Sequence, residues 1–113
     1  MKPKLYLCGT SYDRFVGILA TLLRRYADYE ILVDDYPDSA VAYIAELSHP
    51  QVLRVPPSRM VDEFAQVAER LETLRPEFVI DVRPVGKGSH HWHITAMETE
   101  TAKRGIGLMK IAY

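Results

Sequence analysis

Apolar positions near the start of the chain change period once. Leu5, Tyr6, Leu7 and Cys8 form a short unbroken apolar run, which predicts a strand. After the polar stretch Gly9-Thr10-Ser11, apolar residues recur at Phe15, Ile18, Leu19, Leu22, Leu23 and Tyr26. That spacing (i, i+3, i+4, i+7, i+8, i+11) predicts an amphipathic helix with one buried face. A strand passing into a helix through small residues leaves backbone N–H groups free at the helix start. Together with the helix dipole, they form an anion site.

The pattern then repeats. Glu30 to Val33 reads as a second strand, closed by Asp34-Asp35-Tyr36-Pro37-Asp38. Asp38 or Ser39 can cap a short helix with Ala40, Tyr43, Ile44 and Leu47 on one face, and His49-Pro50 stops it. Gln51 to Val55 is a third strand, ended by Pro56-Pro57. Ser58 caps a second long helix that buries Met60, Phe64, Val67, Leu71 and Leu74. Asp62, Glu63, Glu69, Arg70 and Glu72 make up its other face, read as solvated surface.

The last third changes character. Glu77 to Val85 reads as a strand, Gly86-Lys87-Gly88 as a turn, Ser89 to Met97 as a strand, Glu98 to Gly105 as a polar connection and Ile106 to Tyr113 as a final strand. A three-residue loop would pair Val82 with Trp92 and Ile80 with Ile94, and would set Arg83 opposite His91 and Asp81 opposite His93. The expected fold is therefore α/β. It is a Rossmann-like β-α-β-α-β-α-β with an added C-terminal antiparallel meander, in a single domain over residues 1–113.

Composition narrows the class without changing that picture. A chain of 113 residues, 48% hydrophobic and 26% charged, can bury a substantial core. A net charge of −1 gives no global field toward nucleic acid or anionic lipid. No apolar run reaches the roughly 20 residues that span a bilayer, so no membrane partner is expected. The single cysteine, Cys8, cannot form an internal disulfide, and a cytoplasmic location is the expectation.

Two constellations could carry chemistry. In the first loop, Cys8, five residues and Arg14 resemble the phosphate loop of protein tyrosine phosphatases. The loop departs from that pattern at Asp13, which would repel phosphate, and at Phe15, so Cys8 is not assigned as a nucleophile. Gly9-Thr10-Ser11 directly after the first strand resembles the start of CARF domains, the Rossmann-like sensors of cyclic oligoadenylates in CRISPR systems, some of which cleave their ligand. The resemblance implies that the Gly9-Thr10-Ser11 stretch holds ribose or phosphate through its hydroxyls. Arg14 is added on separate grounds: the dipole disfavours a cation in the first helical turn, and an anion there would remove the conflict. Gly9, Thr10, Ser11 and Arg14 are thus the expected site for a phosphorylated small molecule or nucleotide, and a homodimer could place two such sites across a two-fold axis. Alternatively, Thr10-x-x-Asp13 has capping-box spacing and starts the helix without binding a ligand. Asp34, after the second strand, stands where doubly wound folds place an acidic residue on ribose hydroxyls, although the glycine-rich fingerprint is missing and a turn and helix-cap role is the favoured reading.

The second constellation is His90, His91 and His93 with Asp81 and Arg83. An Asp81–His93 pair would form an acid/base dyad for a hydrolase acting on a phosphodiester, with Arg83 stabilising charge and His91 contacting the ligand. His91-x-His93 with Asp81 also has a spacing that metal sites use. The only other histidine is the distant His49, and no metal or other cofactor is assigned. As a third possibility, the same hairpin and the C-terminal strand would pair with a partner edge or a second copy.

Overall fold

The computed structural model describes residues 2–8, 16–36, 39–56, 64–83 and 91–112. Its elements are β1 (Lys4–Cys8), α1 (Val16–Arg25), β2 (Glu30–Asp34), α2 (Val41–Ser48), β3 (Val52–Val55), α3 (Phe64–Leu74), β4 (Phe78–Arg83), α4 (His91–Arg104) and β5 (Gly107–Ala112). The strands form one five-stranded sheet in the order β3-β2-β1-β4-β5, and every pairing is parallel. Parallel neighbours need crossovers, and each pair of consecutive strands has a helix between its members.

Alternation along β1 sets the two layers. Leu5 and Leu7 face one side of the sheet and pack with Leu19 and Leu23 of α1 and Val41, Ala42 and Ala45 of α2. Tyr6 and Cys8 face the other, against Val67 and Leu71 of α3 and Ala96 and Met97 of α4. Helices thus cover both faces, and the central strand reads as an unbroken apolar run because neither of its sides meets water.

The helix ends have local causes. Arg24 and Arg25 occupy the last turn of α1, where cations suit the dipole. Ser39 Oγ accepts the N–H of Val41 at 3.2 Å and so satisfies one donor at the start of α2. At its end, the His49 N–H donates to the Ala45 carbonyl at 3.0 Å. The last helix closes in a Schellman motif. Gly105 takes φ 67°, its N–H bonds the Ala102 carbonyl at 3.3 Å, and the Ile106 N–H bonds that of Thr101 at 3.0 Å.

Two expectations are corrected here. The antiparallel meander does not exist: the stretch expected as its second strand and polar connection is largely helix α4, and β5 joins β4 in parallel. Among the described side chains of helix α4, Ala96, Met97, Glu100 and Thr101 are buried, an i, i+1, i+4, i+5 pattern in which two of the four are polar. An inward face half made of Glu and Thr carries little hydrophobic periodicity, and the alternation of Trp92, Ile94 and Ala96 imitates a strand. Glu100 tolerates burial because Arg104 Nη1 donates to it at 2.8 Å and Lys103 Nζ at 3.3 Å. Thr101 Oγ1 donates back to the Met97 carbonyl at 2.7 Å.

The second correction concerns α2. Its buried residues are Val41, Ala42 and Ala45, whereas Tyr43 and Leu47 are 53% and 69% exposed. Small alanines let the helix approach the sheet closely. Tyr43 instead lies under the guanidinium of Arg54, 5.7 Å from the ring centroid.

Candidate functional site

The order β3-β2-β1-β4-β5 contains one reversal. The chain steps outward from β1 to β2 and β3, then returns to the far side of β1 as β4 and continues to β5. The crevice outside the carboxyl ends of β1 and β4 is therefore the topological switch point, where open α/β sheets take their ligands. Cys8 ends β1 and is the register partner of Asp81. Both are buried, and Cys8 Sγ donates to Asp81 Oδ1 at 3.3 Å. That engagement within the core is in keeping with Cys8 as a structural residue. On its other side Asp81 pairs in register with Lys110 of β5, whose Nζ reaches Glu98 at 3.1 Å.

A second polar cluster lies on the same sheet face, at the carboxyl end of β2. Tyr6 and Asp34 are both buried, and the Tyr6 hydroxyl donates to Asp34 Oδ1 at 2.6 Å. The Tyr36 hydroxyl donates more weakly to Oδ2 at 3.4 Å. Arg70 of α3 brings its Nη1 within 3.8 Å of Asp34 Oδ1, donates from the same nitrogen to the Pro56 carbonyl at 2.7 Å, and lies 5.9 Å from the Tyr6 ring centroid. One side chain thus joins α3 to the middle of β1 and to the ends of β2 and β3. Burial, reinforced by the neighbouring Asp34 charge, holds the Tyr6 phenol well above its ordinary pKa, so Tyr6 is a firm proton donor to Asp34.

The expected site residues divide as follows. Asp34 stands at the end of β2, but its carboxylate turns into the core and its oxygens accept from tyrosine hydroxyls. Asp81 is at the switch point. Arg83 pairs in register with Ala112, while His91 and His93 fall in the first turn of α4. The cross-strand register that set Asp81 opposite His93 and Arg83 opposite His91 is overturned, since Asp81 lies between Cys8 and Lys110. The side chains of Arg83, His91 and His93 lie outside the described set, as do residues Gly9, Thr10, Ser11 and Arg14. Among the described residues, no cluster of three or more His, Cys, Asp or Glu could hold a metal. None of the described helices is long and apolar enough to cross a membrane.

Arg70 is the residue that charge patterning misplaced. It was expected on a solvated face, yet its side chain is only 19% exposed. It lies three residues after Val67 and four before Leu74, so helical spacing puts it at the margin of the buried face. That spacing was the available signal.

No family model matches the chain, and no curated protein matches it. Solved structures do. An oxidoreductase of the short-chain dehydrogenase/reductase family from Burkholderia thailandensis superposes with a TM-score of 0.60 at 13% identity, over 97% of this chain and 51% of that one. A short-chain dehydrogenase/reductase from Veillonella parvula gives 0.54 at 15% identity, over 97% of this chain and 47% of that one. The chain spans about half the length of these proteins. At such identities the likeness is one of fold: a Rossmann-like α/β arrangement around a parallel sheet.

Proposed function

We propose that this chain binds a phosphorylated ligand, a nucleotide, at the carboxyl ends of β1 and β4. The observation that carries the proposal is the single reversal of strand order between these two strands, the position at which open α/β sheets take their ligands. Gly9, Thr10, Ser11 and Arg14 follow β1 directly in sequence and supply small residues, hydroxyls and a cation for phosphate. The buried Cys8–Asp81 pair joins the carboxyl ends of the two strands at this point. Asp34, already engaged by Tyr6, serves as a structural anchor for the end of β2 rather than a ribose ligand.

Thermal-shift measurements with AMP, ADP, ATP, NAD+, NADP+ and cyclic oligoadenylates test the proposal. The last group is included because of the CARF resemblance at Gly9-Thr10-Ser11. A ligand at 100 times its Kd stabilises the fold by about 2.7 kcal/mol, a rise in Tm of about 10 °C for a chain of this size. Thr10→Ala combined with Arg14→Ala should abolish the shift without lowering the Tm of the free protein by more than about 3 °C. If no phosphorylated compound raises the Tm, the proposal fails. The cross-strand register on which phosphodiester cleavage by His93, Asp81 and Arg83 rested is replaced by the parallel pairing of β4 with β5.

A further inference from the structure

At the opposite end of the sheet, the second half of α1 and the turn between α2 and β3 enclose a cleft of about 550 Å³, lined by Ala20, Leu23, Arg24, Ala27, Ser48, His49 and Pro50. Its volume falls in the range of small-molecule sites. The lining is mainly apolar, with three polar groups. His49 is 5% exposed, and its Nδ1 accepts the Gln51 N–H at 3.1 Å. That bond fixes the ring proton on Nε2, which has no hydrogen-bond partner among the described residues. A buried donor without an acceptor is costly and uncommon in folded proteins. Arg24, exposed in the last turn of α1, adds a guanidinium, and Ser48 a hydroxyl.

We propose that this cleft binds a small carboxylate with a flat apolar body, the carboxylate held by Arg24 and the His49 Nε2–H and the body lying on Ala20, Leu23, Ala27 and Pro50. Nε2 is shielded from water in this structure, so its engagement requires the turn at Ser48–Pro50 to yield locally. Arg24, the exposed group, meets the carboxylate first. Both α1 and α2 end at this cleft with their carbonyls forward, which disfavours an anion, and the charges of Arg24 and Arg25 offset that field. The inference stands apart from the nucleotide proposal, since none of these residues lies at the switch point.

The test titrates the intact chain with 2-naphthoate and, separately, with uncharged 2-methylnaphthalene, followed by amide and imidazole NMR. Naphthoate should give saturable shifts at Ala20, Leu23, Ala27 and the His49 ring, and methylnaphthalene should bind at least about tenfold more weakly, as loss of charged hydrogen bonds requires. Arg24→Ala, at an exposed position, should weaken naphthoate about tenfold with Tm lowered by no more than about 4 °C, the share of its charge at the helix end, and His49→Phe should do the same at a larger cost in Tm. The proposal is overturned if shifts do not saturate by 5 mM (about −3 kcal/mol). It is equally overturned if methylnaphthalene binds as tightly as naphthoate, or if Arg24→Ala binds like the parent chain.

Discussion

Replacing Tyr6 by Phe removes one hydroxyl and leaves the ring in place. That hydroxyl makes a 2.6 Å bond to Asp34 Oδ1 with both partners buried. A hydrogen bond to a charged group contributes about 1.5–3 kcal/mol. Asp34 keeps Arg70 and Tyr36 nearby, so the loss does not leave a bare buried carboxylate. At about 4 °C per kcal/mol for a chain of this length, Tyr6→Phe should lower Tm by about 6–12 °C. Tyr36→Phe is the internal control. Its bond is 3.4 Å long and half-buried, and its loss should cost about 0.5 kcal/mol or less. Urea denaturation read by circular dichroism should give the same ranking at unchanged slope. Equal effects of the two substitutions, or a Tyr6→Phe shift below about 2 °C, would refute the role given to this bond.

Three further outcomes follow from the same contacts. Because the folded state holds the Tyr6 phenol above its unfolded value near 10, folding favours the neutral form. Its stabilisation is complete below about pH 10 and is lost as pH rises toward the folded value, so the fall in Tm between about pH 10 and 12 should be shallower in Tyr6→Phe. Glu100 behaves oppositely: its hydrogen bond from Arg104, with Lys103 beside it, lowers its pKa. That contribution is present above the ordinary carboxyl value and lost as pH falls through the folded one, so Glu100→Gln should flatten the acid limb of a Tm–pH curve. At Gly107, an added Cβ would stand 2.6 Å from Phe78 Cδ2, in a ring stacked on Tyr26 at 6.0 Å. Gly107→Ala should cost about 1–3 kcal/mol by urea denaturation, and a Phe78→Leu background should recover part of it.

Much of the architecture could be read from residue order. Strands β1 to β4 and helices α1 to α3 follow from apolar periods broken by Gly, Pro and Asp, and they arise close to where those breaks fall. The failures share a cause: a buried surface that is not made of large apolar side chains. Helix α4 turns Glu100 and Thr101 inward, each satisfied by partners three or four residues away, so counting hydrophobic residues missed the helix and mistook its start for a strand. In α2, two alanines and a valine outranked Tyr43 and Leu47 because close approach to the sheet favours small side chains. At the candidate site, a strand, a small-residue loop and a helix pointed to the end of β1. The Cys8–Asp81 and Tyr6–Asp34–Arg70 contacts depend on strand order and could not be foreseen from spacing.

The central position of β1 also bears on how the sheet assembles. Its two flanks are supplied at very different times during synthesis: β2 follows almost at once, whereas the Cys8–Asp81 contact joins residues 73 apart. Loop closure over that distance is slow, and a sheet built from such contacts forms late. Until β4 arrives, one edge of β1 offers an open ladder of unpaired N–H and C=O groups beside an apolar run. A growing chain stalled between β3 and β4 would therefore expose its stickiest strand, and a chaperone or a second nascent chain would meet it there first.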